Sequence, residues 1–161
     1  MKETRLVCGE EEELFRMEGG RITEHVLPGE RAAEGDGYLR IRRDAYVYME
    51  AGAGNIPGRD GRIWGGFCAF SCAMFSPRRF AIRHGEELRA GKTPEEILGA
   101  LMREEIRDAI RESAGKRTEL TAEEEKEIWN EIGRRWKTRA ADAGWTAEGL
   151  RPGRIRVRKE V

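Results

Sequence analysis

Residues 62–77 read RIWGGFCAFSCAMFSP, and whether they extend or coil decides the architecture. The segment is apolar at both odd and even positions, which suits a strand covered on both faces. Phe67, Phe70, Met74 and Phe75 also lie on a helical stripe, so periodicity alone does not separate the two forms. Tryptophan, phenylalanine and the flanking glycines favour a central strand with a bulge at Gly65–Gly66.

Upstream, residues 38–50 (YLRIRRDAYVYME) alternate strongly. Leu39 and Ile41 share one face and Tyr46 and Tyr48 repeat the spacing, which predicts one or two strands. Residues 51–61 (AGAGNIPGRDG) read as a long loop, and Glu34–Gly37 as a shorter one. Earlier still, Phe15 and Met17 alternate on one strand and Ile22 and Val26 on another, with Gly19–Gly20 between them. Two adjacent glycines fit a two-residue primed turn, which needs positive φ at both positions. Glu18 and Arg21 then oppose each other beside the turn, and Pro28–Gly29 ends the second strand. Glutamates 10–13 read as a solvated rim.

Downstream the pattern changes period. Thr93-Pro94-Glu95-Glu96 is a helix start, with a capping threonine, a first-turn proline and a glutamate three residues on. Ile97, Leu98, Leu101, Met102, Ile106, Ala109 and Ile110 form one face of that helix, and Gly115 is expected to close it. Thr121-Ala122-Glu123-Glu124 repeats the device and opens a helix striped by Ile128, Trp129, Ile132, Trp136 and Ala140. Gly144 ends it, and Trp145 is expected to staple the junction. GRIRVRKEV, 153–161, predicts a returning strand with Ile155 and Val157 inward and the arginines outward.

Strands grouped first, helices later and one closing strand indicate an α+β fold. The expected form is an antiparallel or mixed sheet, built from the N-terminal half plus a C-terminal strand, with two amphipathic helices packed on it. We read a single domain over 1–161: strand-rich at 5–82, helical at 94–143, with a terminal strand at 153–160.

The chain has 161 residues, and its 30 basic and 30 acidic side chains cancel. Neutral charge argues against a generic nucleic-acid binder. The apolar fraction of 39% is above that of a disordered chain. No run reaches the roughly 20 apolar residues of a membrane span. Three cysteines without disulfide-like spacing point to a reducing, cytoplasmic setting.

Little in the sequence points to chemistry. Cys68 and Cys72 share a face on either reading and His84 follows, but a metal would need further ligands, so buried thiols are the plainer reading. Cys8 reads as a core or edge residue. The glycines of residues 52–58 miss the G-x-G-x-x-G spacing, and no helix opens after them. His25 and His84 have no partner fixed by sequence. Arg154, Arg156 and Arg158 could meet anionic headgroups or a nucleic-acid backbone, or simply form a solvated strand face. Trp129 and Trp136 read as core or interface anchors. We expect no catalytic residues, no cofactor and no enzyme.

In order, GEEEELFRMEGGRITEHVLPGE (9–30), RDGRIWGGFCAFSCAMFSPRRFAIRHG (59–85), TPEEILGALMREEIRDAIRESAG (93–115), the second capped helix and AGWTAEGLRPGRIRV (143–157) resemble the SPFH, or band-7, domain of the stomatin, prohibitin and flotillin superfamily. The resemblance implies a scaffold that organises membrane microdomains or cages around partner proteins without catalysis. It implies self-association or a partner protein, and a position peripheral to the inner face of a membrane, against an anionic surface. The opening hairpin would then offer a sheet edge to a neighbour while its glutamates discourage indiscriminate pairing. The alternative reading is a small soluble ligand- or metal-binding protein, or enzyme, with a site near residues 51–84.

Overall fold

The computed structural model describes residues 7–33, 37–113 and 116–159. Residues 34–36 of the expected loop at 34–37 and the closing glycine at 115 lie outside them. Among these residues the chain forms seven strands and three α-helices, an α+β fold with every strand pair antiparallel.

β1 (Glu12–Glu18) and β2 (Arg21–Val26) make the hairpin, with Gly19 and Gly20 at φ 58 and 78 and Glu18 opposite Arg21. β3 (Tyr38–Arg42) pairs with the other side of β1, so the order is β2-β1-β3. This small sheet is separate from the main one rather than part of a single sheet. β1 is covered on both faces. Phe15 and Met17 enter the main core, while Leu14 and Val26 close a second one with Cys8 and Ala32. Val26 therefore does not share a face with Phe15, because the ladder shifts register after Arg16.

The decisive stretch is extended. β5 (Arg62–Met74) runs for 13 residues beside β4 (Tyr46–Pro57). The expected loop at 51–61 is instead the end of β4 followed by a 3-10 turn at Arg59–Gly61. Its small residues have a packing reason: Ala51 and Ala53 are buried, and Arg103 of the overlying helix donates from Nε to the Gly52 carbonyl at 3.1 Å. The bulge lies on β4 between Ala53 and Ile56, opposite Gly65, with Asn55 at φ 53.

Three helices follow, one more than expected. α1 (Pro77–Arg89) falls partly within the stretch read as strand-rich; Ser76 caps it by accepting from the Arg79 N–H at 3.2 Å. α2 (Pro94–Ser113) and α3 (Ala122–Asp142) open with the expected reciprocal caps at Thr93 and Thr121. α2 buries its apolar stripe against β4 and β5, and α3 buries its own against α2 and the strand that follows it, at 145–152. Trp136 meets Phe70 edge-on at 5.1 Å between centroids. Burying one such ring contributes about 2–3 kcal/mol. Glu105 of α2 is buried between the helices, where Arg139 of α3 binds it at 3.0 Å.

Trp145 does more than staple the junction, since it begins β6 (Trp145–Pro152). β6 pairs with the C-terminal half of β5, and β7 (Arg156–Lys159) with its N-terminal end. The returning strand thus exists at 156–159, but its four residues are all exposed; Ile155 lies before it, half-buried. Gly144, at φ 90, knots four elements. Its carbonyl accepts from the N–H groups of Phe75 and Ser76, and a Cβ there would stand 2.2 Å from the Ser76 oxygen. No helix among the described residues is long and apolar enough to cross a membrane.

Candidate interaction face

The β4–β5 register fixes what each face of the main sheet displays. Tyr46, Tyr48, Glu50 and Gly52 oppose Ala73, Ser71, Ala69 and Phe67, and paired residues project to one side. The buried residues Val47, Ala51, Cys68, Phe70 and Cys72 belong to the other side, beneath α2 and α3. The outer side carries Tyr46 at 60% exposure, Tyr48 at 64% and Phe67 at 47%. β6 adds Arg151 opposite Ala69, and β7 adds Arg156 and Arg158 opposite Gly65 and Ile63. One face therefore combines three exposed aromatic rings with three arginines.

Arg158 donates to Asn55 Oδ1 at 3.1 Å. Arg154 and Arg156 form no ion pair among the described residues, and with Phe67 and glycines 52, 65 and 66 they border a depression of about 380 Å³. Of the residues read from the sequence, Arg156 and Arg158 lie on this face, and Arg154 joins Phe67 at the depression. Trp129 and Trp136 take the core alternative, at 5% and 1% exposure, and so present no ring to a partner.

The cysteine and histidine candidates separate from this face. Cys68 and Cys72 lie on the inner side, and burial pushes both thiols up to about 12. Trp136 beside Cys72 opposes that shift without overcoming it. His84 sits on α1 with Nδ1 2.8 Å from Glu87 Oε1. Among the described residues no cluster of three or more His, Cys, Asp or Glu is arranged to hold a metal.

Sequence reasoning missed a second histidine–glutamate pair. Glu13, read as part of a solvated rim, is 7% exposed. His25 Nε2 lies 2.5 Å from its Oε1, and Arg43 Nε lies 3.3 Å from its Oε2. Phe15 stacks on the imidazole at 4.4 Å. This arrangement ties β1, β2 and the β3–β4 turn together, and it fixes the ring rather than presenting it.

A cleft of about 920 Å³ opens elsewhere, between β3, the start of β4 and the α1–α2 connection. Phe80, Trp145 and Met74 contribute to its lining, with Arg40, Arg42, Arg89 and Lys92 set against Asp44 and Glu95. Phe80 and Trp145 brace each other edge-on at 5.4 Å.

No protein-family model matches the chain, and no curated protein matches it either.

Proposed function

We propose that this protein is a non-enzymatic assembly module that docks through the outer face of its main sheet, organising a protein complex at a membrane periphery. The observation that carries the reading is the uncovered aromatic–arginine face. Tyrosine and arginine are enriched among the residues that dominate protein interfaces, and antiparallel sheets commonly leave one face to water with polar residues on it. Here that face instead offers Tyr46, Tyr48 and Phe67. The ordered resemblance to SPFH domains supports the same reading.

Light scattering over a concentration series tests it. We expect a mass that rises with concentration and reverts to the monomer in a Tyr46→Ser, Tyr48→Ser double variant with unchanged circular dichroism. A strict monomer at high concentration that also fails to sediment with anionic vesicles would overturn the proposal. The arginines without ion pairs favour one second reading, direct contact of this face with anionic headgroups, worth about 1 kcal/mol per cation near a charged surface. Sedimentation with vesicles, lost at high salt and in an Arg154→Glu, Arg156→Glu variant, distinguishes it.

The other alternative, a ligand site near residues 51–84, loses its loop. That stretch is strand, turn, strand and helix, with both thiols turned inward.

A further inference from the structure

Among the described residues the strand β3 has one partner, β1, and no strand pairs with its far edge. Hydrogen bonding fixes which groups are free. The Arg43 N–H donates to the Glu11 carbonyl at 2.8 Å, and partners in an antiparallel ladder alternate between bonded and non-bonded pairs. Ile41 and Leu39 therefore bond to Glu13 and Phe15, whereas Tyr38, Arg40 and Arg42 direct their N–H and C=O groups away from β1. Both odd and even residues of this strand line the 920 Å³ cleft. The cleft is thus bordered by the strand's edge, not by one of its faces.

The remaining walls fit a guest strand. Among the described residues β4 is also unpaired on the side away from β5. The Met74 N–H bonds to the Ala45 carbonyl at 2.8 Å, so odd residues of β4 face β5 and the backbone of Tyr46 points outward, at the cleft. Trp145 contributes to the lining, and its buried indole N–H has no acceptor among the described residues. Lys92 makes no ion pair among them. Glu12 pairs with Arg40, and Glu11 and Asp44 pair with Arg42, so the cations of the walls left without an ion pair among the described residues are Arg89 and Lys92.

We propose that the cleft binds an extended peptide, added as a strand to the open edge of β3, with apolar and acidic residues alternating along it. The five residues of β3 present an edge of about 17 Å. A strand laid against it would place every second side chain beside Leu39 and Ile41, over Phe80 and Trp145. The intervening side chains would lie on the side of Tyr38, Arg40 and Arg42, which Glu24, Glu12 and Asp44 already engage, so the guest's carboxylates would draw on Arg89 and Lys92 across the cleft. Main-chain bonds would supply affinity and the alternation would supply selectivity, as in other strand-addition sites. This surface meets the outer sheet face only at Tyr46, and the two tests read different residues, so either proposal can fail alone.

The test uses the intact protein and a blocked hexapeptide of alternating valine and glutamate. Amide exchange followed by NMR should show Tyr38, Arg40 and Arg42 exchanging freely without peptide, and slowing about tenfold or more when it is saturating. Leu39 and Ile41, already bonded to β1, should change little. The same peptide N-methylated at alternate backbone positions should not bind, a control that leaves the protein untouched. Lys92→Glu should weaken binding about two- to fivefold, and salt should do likewise. The proposal is overturned if the hexapeptide does not bind at millimolar concentration, if the N-methylated form binds equally, or if slowing appears elsewhere. Slowing of the three amides by rising protein concentration alone would assign the edge to a second copy of the chain and also overturn it. Slowing by anionic vesicles in place of peptide would have the same force.

Discussion

Raising the pH should destabilise this protein through two thiols that never meet solvent. Cys68 and Cys72 are both 0% exposed, and burial lifts each from an ordinary 9.0 to about 12. Because the folded-state value is the higher one, the stability linked to each thiol is fully present below about pH 9. It is lost as the pH climbs towards 12, where the unfolded chain ionises and the folded one does not. At pH 10 the unfolded state gains about 1.4 kcal/mol per thiol, so the pair costs about 3 kcal/mol relative to pH 7.5. That is a large share of the roughly 5–15 kcal/mol that holds a domain together. Urea unfolding followed by tryptophan fluorescence at pH 7.5, 9 and 10, under reductant, measures the loss. The control is a Cys68→Ala, Cys72→Ala variant, which starts lower because it lacks two buried sulfurs but should fall about 3 kcal/mol less over the same range. Cys8 and Tyr38, also shifted upward, are present in both proteins and cancel. Parallel curves for the two proteins would refute the reasoning, as would rapid native-state labelling of either thiol at pH 8.

Two further substitutions probe the framework. Gly144→Ala combines a φ of 90 with a Cβ driven 2.2 Å from the Ser76 oxygen, so chemical denaturation should show a loss of about 3 kcal/mol or more. Arg139→Ala strands the Glu105 carboxylate between two helices and should cost about 2–3 kcal/mol, whereas Glu105→Gln, which keeps an acceptor, should cost under about 1 kcal/mol in the same assay.

How much could be read in advance follows how local each signal is. The diglycine turn and the two Thr-x-x-Glu caps involve residues three or four apart, and each element lies where its own sequence puts it. α1 carried the same kind of signal in Ser76-Pro77. It went unread because Phe75, Phe80 and Ile82 prolong an apolar stretch that is extended up to Met74, and only the inward set of that helix is buried. β6 gave no local signal. Its glycine, its proline and its mostly exposed residues resemble a loop, and only the vacant flank of β5 makes it a strand. The interaction face was half visible. Its arginines stood out as a cluster, but their union with Tyr46, Tyr48 and Phe67 depends on the register of four strands. Glu13 was hidden by its neighbours: four identical letters, of which one turns inward to a histidine twelve residues away.

The two flanks of β5 are completed at different times in the life of the chain. β4 immediately precedes it, whereas β6 and β7 follow only after α2 and α3. At translation rates of about 5–20 residues per second, that unmated flank waits on the order of ten seconds beside a nascent chain still being made. Throughout that interval a greasy ribbon with vacant donors and acceptors stands ready to zip onto its counterpart from the next ribosome on the message. Yield of this protein in a cell should therefore depend on holding chaperones, and on the spacing of ribosomes, more than on the stability of the finished fold.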